Sequence, residues 1–365
     1  MKLKTIVKSL LVIVLLVAAA VYSLNAAFVA TVDKPVAESP RYYDGVFHND
    51  FTFESFSWEK LYAAVKRQQT EVVVDDKPSK TLPMIPVTRE SLDAIADDEL
   101  RIVKLGHSSI LIKAYGKYLL IDPMFSDRAS PFGFFGPERF QPTPIALDDL
   151  PPIDTILVSH NHYDHLDKAS IKALIAKTEH FMVPLGVDGD LRKWGVDSSR
   201  ISTFDWWQEQ KTSLGEFVFT PSQHFSGRGL TDRDKTLWGS WVITLGGKRI
   251  FFSGDSGYFE GFKEIGKRYG PFDLTMIENG AYNVDWRYVH MFPEQSVQAH
   301  LDLQGKVMLP IHNGTFDLSF HSWYDPLEKV SVAADKHQVT LSTPVVGEVF
   351  AVGEAVSTRW WQQYM

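Results

Sequence analysis

The chain has 365 residues, 44% hydrophobic and 22% charged. That balance can bury a core across one large domain or two ordinary ones, and it excludes a disordered or low-complexity chain. A net charge of −8 argues against a nucleic-acid partner, and zero cysteines exclude disulfides, thiolate metal sites and a cysteine nucleophile.

Lys2, Lys4 and Lys8 precede an apolar run from Leu10 to Tyr22, which continues past Ser23 and Asn25 to Ala30. A signal peptide needs an apolar core of roughly 7–15 residues and a membrane helix about 20, so both fit. The preferred expectation for residues 1–30 is an uncleaved single-pass anchor over Ser9–Ala30. Its N-terminus would lie in the cytoplasm, with the remainder exported, to the periplasmic side in a bacterium. The alternative is a secreted or periplasmic protein after signal cleavage. Residues 31–98, punctuated by Pro35, Pro40, Pro83 and Pro86, read as an extension packing on the main domain, with a helix over Ser57–Gln68.

The main domain is expected over residues 99–365. Strands are predicted at Arg101–Leu105, Ser109–Ala114, Lys117–Ile121, Asp154–Ser159, Phe181–Pro184, Glu216–Pro221, Ser240–Leu245, Lys248–Ser253 and Lys306–Ile311. Helices are predicted at Ser170–Lys177, Phe259–Tyr269 and Pro293–Leu301. Gly246-Gly247 marks a hairpin. Strands that meander and then alternate with helices, twice over, predict an α/β fold of the αββα sandwich type: two mixed sheets face to face with helices outside.

The strongest chemical signal is His160-Asn161-His162-Tyr163-Asp164-His165, between a strand and a helix. A loop can bring all four donors to one spot, which a straight strand or helix cannot. Imidazole and carboxylate suit Zn, Fe or Mn. A catalytic zinc keeps three protein ligands and an open position, so four donors imply two divalent ions, most simply Zn²⁺. His160 and His162 are assigned to one, Asp164 and His165 to the other. Later strand ends supply His224 for the first ion, His312 for the second and Asp255 as the bridge.

With these motifs in view, the chain resembles the metallo-β-lactamase superfamily. Leu105-Gly106-His107-Ser108-Ser109, Ile121-Asp122-Pro123, Asp205-Trp206-Trp207, Gln223-His224-Phe225-Ser226-Gly227-Arg228, Leu237-Trp238-Gly239-Ser240-Trp241 and Gly254-Asp255-Ser256-Gly257-Tyr258 are similar to the branch containing N-acyl-phosphatidylethanolamine-hydrolysing phospholipase D and its bacterial relatives. The resemblance implies a membrane-tethered phosphodiesterase whose partners are a membrane and a phospholipid or other anionic small molecule. Two departures flank the ligands: Glu278-Asn279-Gly280 replaces a proline-isoleucine-glycine run, and Asn313 replaces a tryptophan.

Around the ions, Asp122 is the candidate to orient a ligating histidine. His107 and His290 are candidates for substrate contact or proton transfer, and Tyr282 is a weaker one. Asp164 would orient the nucleophile, Asp255 would bridge, and His290 would serve as the acid. Phe132, Phe134, Phe135 and Phe140 read either as an apolar wall for lipid tails or as packing beneath the extension. Two divalent ions against two carboxylates leave a net positive site that favours an anionic substrate. The competing readings are a lactonase or other small ester hydrolase, which a small polar pocket would favour, and a non-catalytic metal-stabilised protein.

Overall fold

The computed structural model describes residues 39–50 and 71–365 continuously, and only scattered residues elsewhere. Two seven-stranded sheets make the body. The first contains β3 (Leu100–Gly106), β4 (Ser109–Ala114), β5 (Lys117–Ile121), β6 (Ile153–Leu157), β7 (Thr178–Pro184) and β8 (Ile201–Phe204), with β16 (Val349–Ala351) at its edge. The second contains β9 (Glu209–Lys211), β10 (Glu216–Thr220), β11 (Ser240–Leu245), β12 (Lys248–Phe252), β13 (Leu274–Glu278), β14 (Val307–Ile311) and β15 (Thr340–Leu341). The α/β sandwich expected from the sequence is the fold found.

Each sheet changes character part-way. In the first, β3, β4 and β5 pair antiparallel and β5 through β8 pair parallel. In the second, β9 to β12 pair antiparallel and β12 to β15 parallel. Antiparallel pairs close with tight turns. Gly246 and Gly247, at φ 53° and 79°, make the β11–β12 turn that an ordinary side chain would strain. Parallel pairs need crossovers, supplied by α2 (Lys168–Leu174), α3 (Asp188–Trp194), α4 (Gly261–Tyr269) and α5 (Pro293–Asp302). A short α1 (Arg89–Asp93) precedes the first sheet, and α6 (Asp325–His337) follows β14.

The strands β13, β8 and β9 and the helices α3 and α6 were not among the predicted elements. Leu274–Glu278 is buried on both faces, so it lacks the alternation that marks a half-exposed strand. The sheets meet over Ile112, Ile121, Phe217, Phe219, Trp241, Ile243, Phe252 and Leu309. Trp241 is fully buried, and its Nε1 donates to Val158 O at 3.0 Å, tying the second sheet to the end of β6.

The extension reaches this body through a small hairpin, β1 (Tyr42–Tyr43) and β2 (Val46–Phe47), whose Phe47 is buried in the intersheet core. The helix expected at Ser57–Gln68 lies largely outside the described residues. The membrane anchor needs correction. Among the described residues no helix is long and apolar enough to cross a membrane. Most of Ser9–Ala30 lies outside those residues, but its far end bonds to the main domain. Asn25 Oδ1 accepts from Leu230 N at 2.6 Å, its Nδ2 donates to Thr231 Oγ1 at 2.8 Å, and Lys193 donates to Val29 O at 3.0 Å. An end bonded in this way is not a hydrocarbon-embedded turn of a spanning helix, and the localisation drawn from that helix does not hold.

Replacing Trp241 by Ala removes a large intersheet side chain and the donor to Val158. It is expected to cost roughly 3–5 kcal/mol in denaturant unfolding. A loss below about 1 kcal/mol would contradict this account of the core.

Candidate metal centre and active site

The site lies beyond the carboxyl ends of β5, β6, β12, β13 and β14, where open sheets leave a crevice. The loop from His160 to Asp167 is shaped by two fixings. Asp167 caps α2, accepting from Ala169 N and Ser170 N at 3.2 Å each. Arg228, buried, donates to Asn161 O and Leu166 O at 2.7 Å each and lies 4.0 Å from the Tyr163 ring centroid. The loop is thus curled around one guanidinium, and its donor side chains converge.

His160, His162, His224 and Asp255 form one group whose ligand atoms lie within 4.8 Å of one another. His160 Nε2 and His224 Nε2 stand 2.9 and 3.2 Å from His162 Nδ1. The other ring nitrogens fix the tautomers. Ser159 Oγ donates to Asp122 Oδ2 at 2.6 Å, so it accepts from His160 Nδ1 at 3.0 Å. His224 Nδ1 donates to Val289 O at 2.9 Å. Both Nε2 atoms therefore present bare lone pairs to His162. One proton on His162 satisfies at most part of this arrangement, whereas one cation satisfies all three. Tetrahedral Zn²⁺ with Zn–N near 2.0 Å sets nitrogens roughly 3.3 Å apart, close to what is seen.

The second group is His107, Asp164, His165 and His312. His165 Nδ1 donates to Asp122 Oδ2 at 2.8 Å, so in the neutral ring that a metal ligand must be, its Nε2 is bare. That Nε2 faces Asp255 Oδ1 at 3.2 Å, and both atoms are buried without a hydrogen-bond partner. Two acceptors face to face is the arrangement that a shared cation resolves. Asp255 Oδ2 lies 3.1 Å from His312 Nε2, so Asp255 touches both groups. The donor set fits two divalent ions.

Charge points the same way. Burial lowers His160 and His224 well below the usual imidazole range, His162 to about 4 and His107 to about 3, which keeps them neutral as ligands must be. Burial also disfavours charge on His165 and His312. There Asp255 and Asp164 outweigh it, lifting His312 to about 10 and His165 well above its normal value. Two carboxylates, Asp255 buried and Asp164 half-buried, thus draw positive charge into the cluster.

Asp122 is fully buried and accepts from Ser159 N at 2.8 Å as well as from Ser159 Oγ and His165, holding histidines of both groups. His107 meets Asp164 Oδ2 at 2.9 Å. Tyr282 is placed elsewhere: its hydroxyl donates to Asp325 at the start of α6, its ring stacks on His321, and it does not line the cavity over the cluster. As a substrate contact it is corrected.

Four residues that sequence reasoning did not single out as site residues support the site. Arg228 curls the ligand loop. Asn49, from the extension, donates to His224 O at 2.8 Å and accepts from His224 N at 3.2 Å. Glu278, fully buried, accepts from Gly280 N at 3.2 Å and Met291 N at 2.9 Å, and meets His290 Nδ1 at 3.2 Å. It closes both ends of the 280–291 excursion and aims His290. Lys104, also buried, donates to Asn313 Oδ1 at 3.0 Å and Pro310 O at 3.2 Å, bracing the turn that carries His312. Both departures from the family pattern, Glu278 and Asn313, are therefore partnered.

A cavity of about 340 Å³ opens over the cluster, walled by Phe225, Ala281, Trp286, Val289 and Leu318. Phe134 and Phe135 are exposed, whereas Phe140 packs with Leu82 and Trp323, as the packing reading requires. Phe132 lines a separate cavity of about 560 Å³ with Tyr163 and Trp194.

Residues 117–313 match the family described as the beta-lactamase superfamily domain, a stretch holding all seven expected ligands. The chain belongs to the metallo-β-lactamase superfamily. It is 38% identical over 330 residues to an uncharacterized protein of Mycobacterium tuberculosis, covering 89% of this chain and 88% of that one. It is 32% identical over 337 residues to N-acyl-phosphatidylethanolamine-hydrolyzing phospholipase D 1 of Caenorhabditis elegans, covering 85% of this chain and 93% of that one. The fold matches Igni18, a metallo hydrolase from the archaeon Ignicoccus hospitalis (TM-score 0.54, 20% identity, 69% of this chain and 97% of that one). It also matches an isothiocyanate hydrolase from Delia radicum gut bacteria (TM-score 0.52, 19% identity, 69% and 98%). The family to which the chain belongs is one of metal-dependent hydrolases.

Asp122→Asn is expected to weaken metal binding about 10–100-fold in competition with a chromophoric chelator, because its amide cannot accept all three hydrogen bonds. Unchanged affinity would remove Asp122 from the site. Glu278→Gln strands the Met291 N–H or the His290 contact and is expected to cost about 1.5–3 kcal/mol in denaturant unfolding. A neutral outcome would show that the 280–291 excursion is held by other contacts.

Proposed function

We propose that this chain is a dinuclear-metal phosphodiesterase of the phospholipase D type that hydrolyses N-acylated or related phospholipids. The observation that carries the reading is the joining of two His/Asp groups through Asp255 beneath a cavity with apolar walls. Such a cavity, with apolar walls over a charged floor, suits an anionic group attached to an apolar chain. Support for the lipid class comes from the C. elegans relative, whose name assigns it that substrate.

His160, His162 and His224 would hold one ion, Asp164, His165 and His312 the other, and Asp255 would contact both. Zinc is the ion proposed, and iron or manganese suit the same donors. When bound, such a pair supplies Lewis-acid stabilisation of the phosphoryl oxygens and lowers the pKa of the attacking water. Asp164 orients that water, and His107 fixes the Asp164 carboxylate in turn. The water oxygen joins phosphorus and the P–O bond to the head-group alcohol breaks. His290, with a ring nitrogen within 4.8 Å of the Asp255 and His312 donors and its Nδ1 on Glu278, protonates the leaving oxygen. Phe225, Trp286 and Val289 keep bulk water from the leaving group.

The test is to load the full chain with zinc, incubate it with a membrane-lipid extract in mild detergent, and follow lipids by mass spectrometry beside Asp255→Asn. The expected result is phosphatidic acid formed at the expense of an N-acylated phospholipid, reduced at least 100-fold in the variant. Unchanged lipids together with lactone hydrolysis would overturn the phospholipase reading.

A further inference from the structure

The two ion groups are not built alike. In the first, His160 Nδ1 donates to Ser159 Oγ at 3.0 Å and His224 Nδ1 donates to Val289 O at 2.9 Å. In the second, His165 Nδ1 donates to Asp122 Oδ2 at 2.8 Å, but His312 Nδ1 is buried with no hydrogen-bond partner among the described residues. A histidine that presents Nε2 to an ion is ordinarily fixed by the bond its other nitrogen makes. His312 lacks that tether, so its ring depends on the backbone that carries it.

That backbone is gripped from behind by a lysine. Lys104 runs from β3 into the interior, where burial pulls its ammonium down to about 8 and no carboxylate among the described residues pairs with it. Its Nζ donates to Pro310 O at 3.2 Å and to Asn313 Oδ1 at 3.0 Å, one acceptor on each side of His312 in the chain. Asn313 Nδ2 in turn donates to Ile311 O at 2.8 Å. The brace therefore closes around a histidine whose φ is 64°. A tryptophan side chain at 313 would bring a donor and no acceptor, so the brace needs this asparagine. Burying an ammonium against two neutral oxygens is costly, and what those oxygens share is the turn that presents His312.

We infer that Lys104 is a positioning residue for His312, acting through the 310–313 turn, and that it sets the affinity of the second ion, the weaker-held of the two. The inference rests on the two-ion reading and adds an order to it. The His160, His162 and His224 group fills first, and the Asp164, His165 and His312 group fills second. Lys104 itself touches neither ion.

The experiment titrates the metal-stripped full chain with zinc against a chromophoric chelator. Wild type is expected to bind two ions in separate steps, the second at least about tenfold weaker. The weak step is assigned by its disappearance in His312→Ala. Lys104→Met keeps an apolar stem of similar length and strands no buried charge. It is expected to weaken the second step by about 10–100-fold and to leave the first within about twofold, which also reports that the variant is folded. Asn313→Ala is expected to do the same, and the double variant to be no worse than either single one, because both remove one brace. Loss of affinity in both steps alike, no loss in either, or two equal steps in wild type overturns this inference alone. A single ion in wild type overturns the two-ion reading and this inference with it.

Discussion

Five imidazoles and two carboxylates, most of them buried, converge at one point between two sheets with their lone pairs turned toward one another. The rest of the structure is arranged around that constraint. Asp255 reaches both histidine groups, and the loop carrying His160 to His165 is curled on Arg228. Burial keeps His160, His162, His224 and the adjacent His107 neutral while the carboxylates draw charge onto His165 and His312. Only cations satisfy both sets at once.

The backbone is strained to achieve this. His107, Asp122 and His312 adopt φ of 52°, 43° and 64°, a left-handed conformation that costs a side chain of their kind of order 1 kcal/mol or more. Each sits just past a strand, where the sheet on one side and the cluster on the other leave no alternative path. The hydrophobic interface between the sheets holds this geometry. Trp241 joins the two levels, since its indole fills the core and its N–H fixes the carbonyl just before Ser159 and His160.

Much of this was legible in the sequence because the signals were local. The His160–His165 loop compresses four donors into six positions, and His224, Asp255 and His312 follow apolar runs that end in small or polar residues. Gly246-Gly247 announced its turn. The supporting residues were illegible because their partners are distant in the chain. Asn49 serves His224, Arg228 serves Asn161 and Leu166, and Lys104 serves Asn313. Glu278 stood out as a departure, but its purpose depends on Met291 and His290 arriving beside it. Central strand β13 has no alternation to read, and Tyr282 looked like a site residue only because its sequence neighbours are. The apolar N-terminal run had the composition of a spanning helix, yet composition alone cannot say whether its far end bonds to the folded body, as Asn25 and Val29 do.

The central claim is that the cluster holds two ions through a shared carboxylate. The most direct measurement is metal content by plasma mass spectrometry after the full chain is equilibrated with zinc and dialysed. Two zinc ions per chain are predicted for wild type, falling to one or fewer in Asp255→Asn. A single ion in wild type, or two ions retained in Asp255→Asn, would contradict the account.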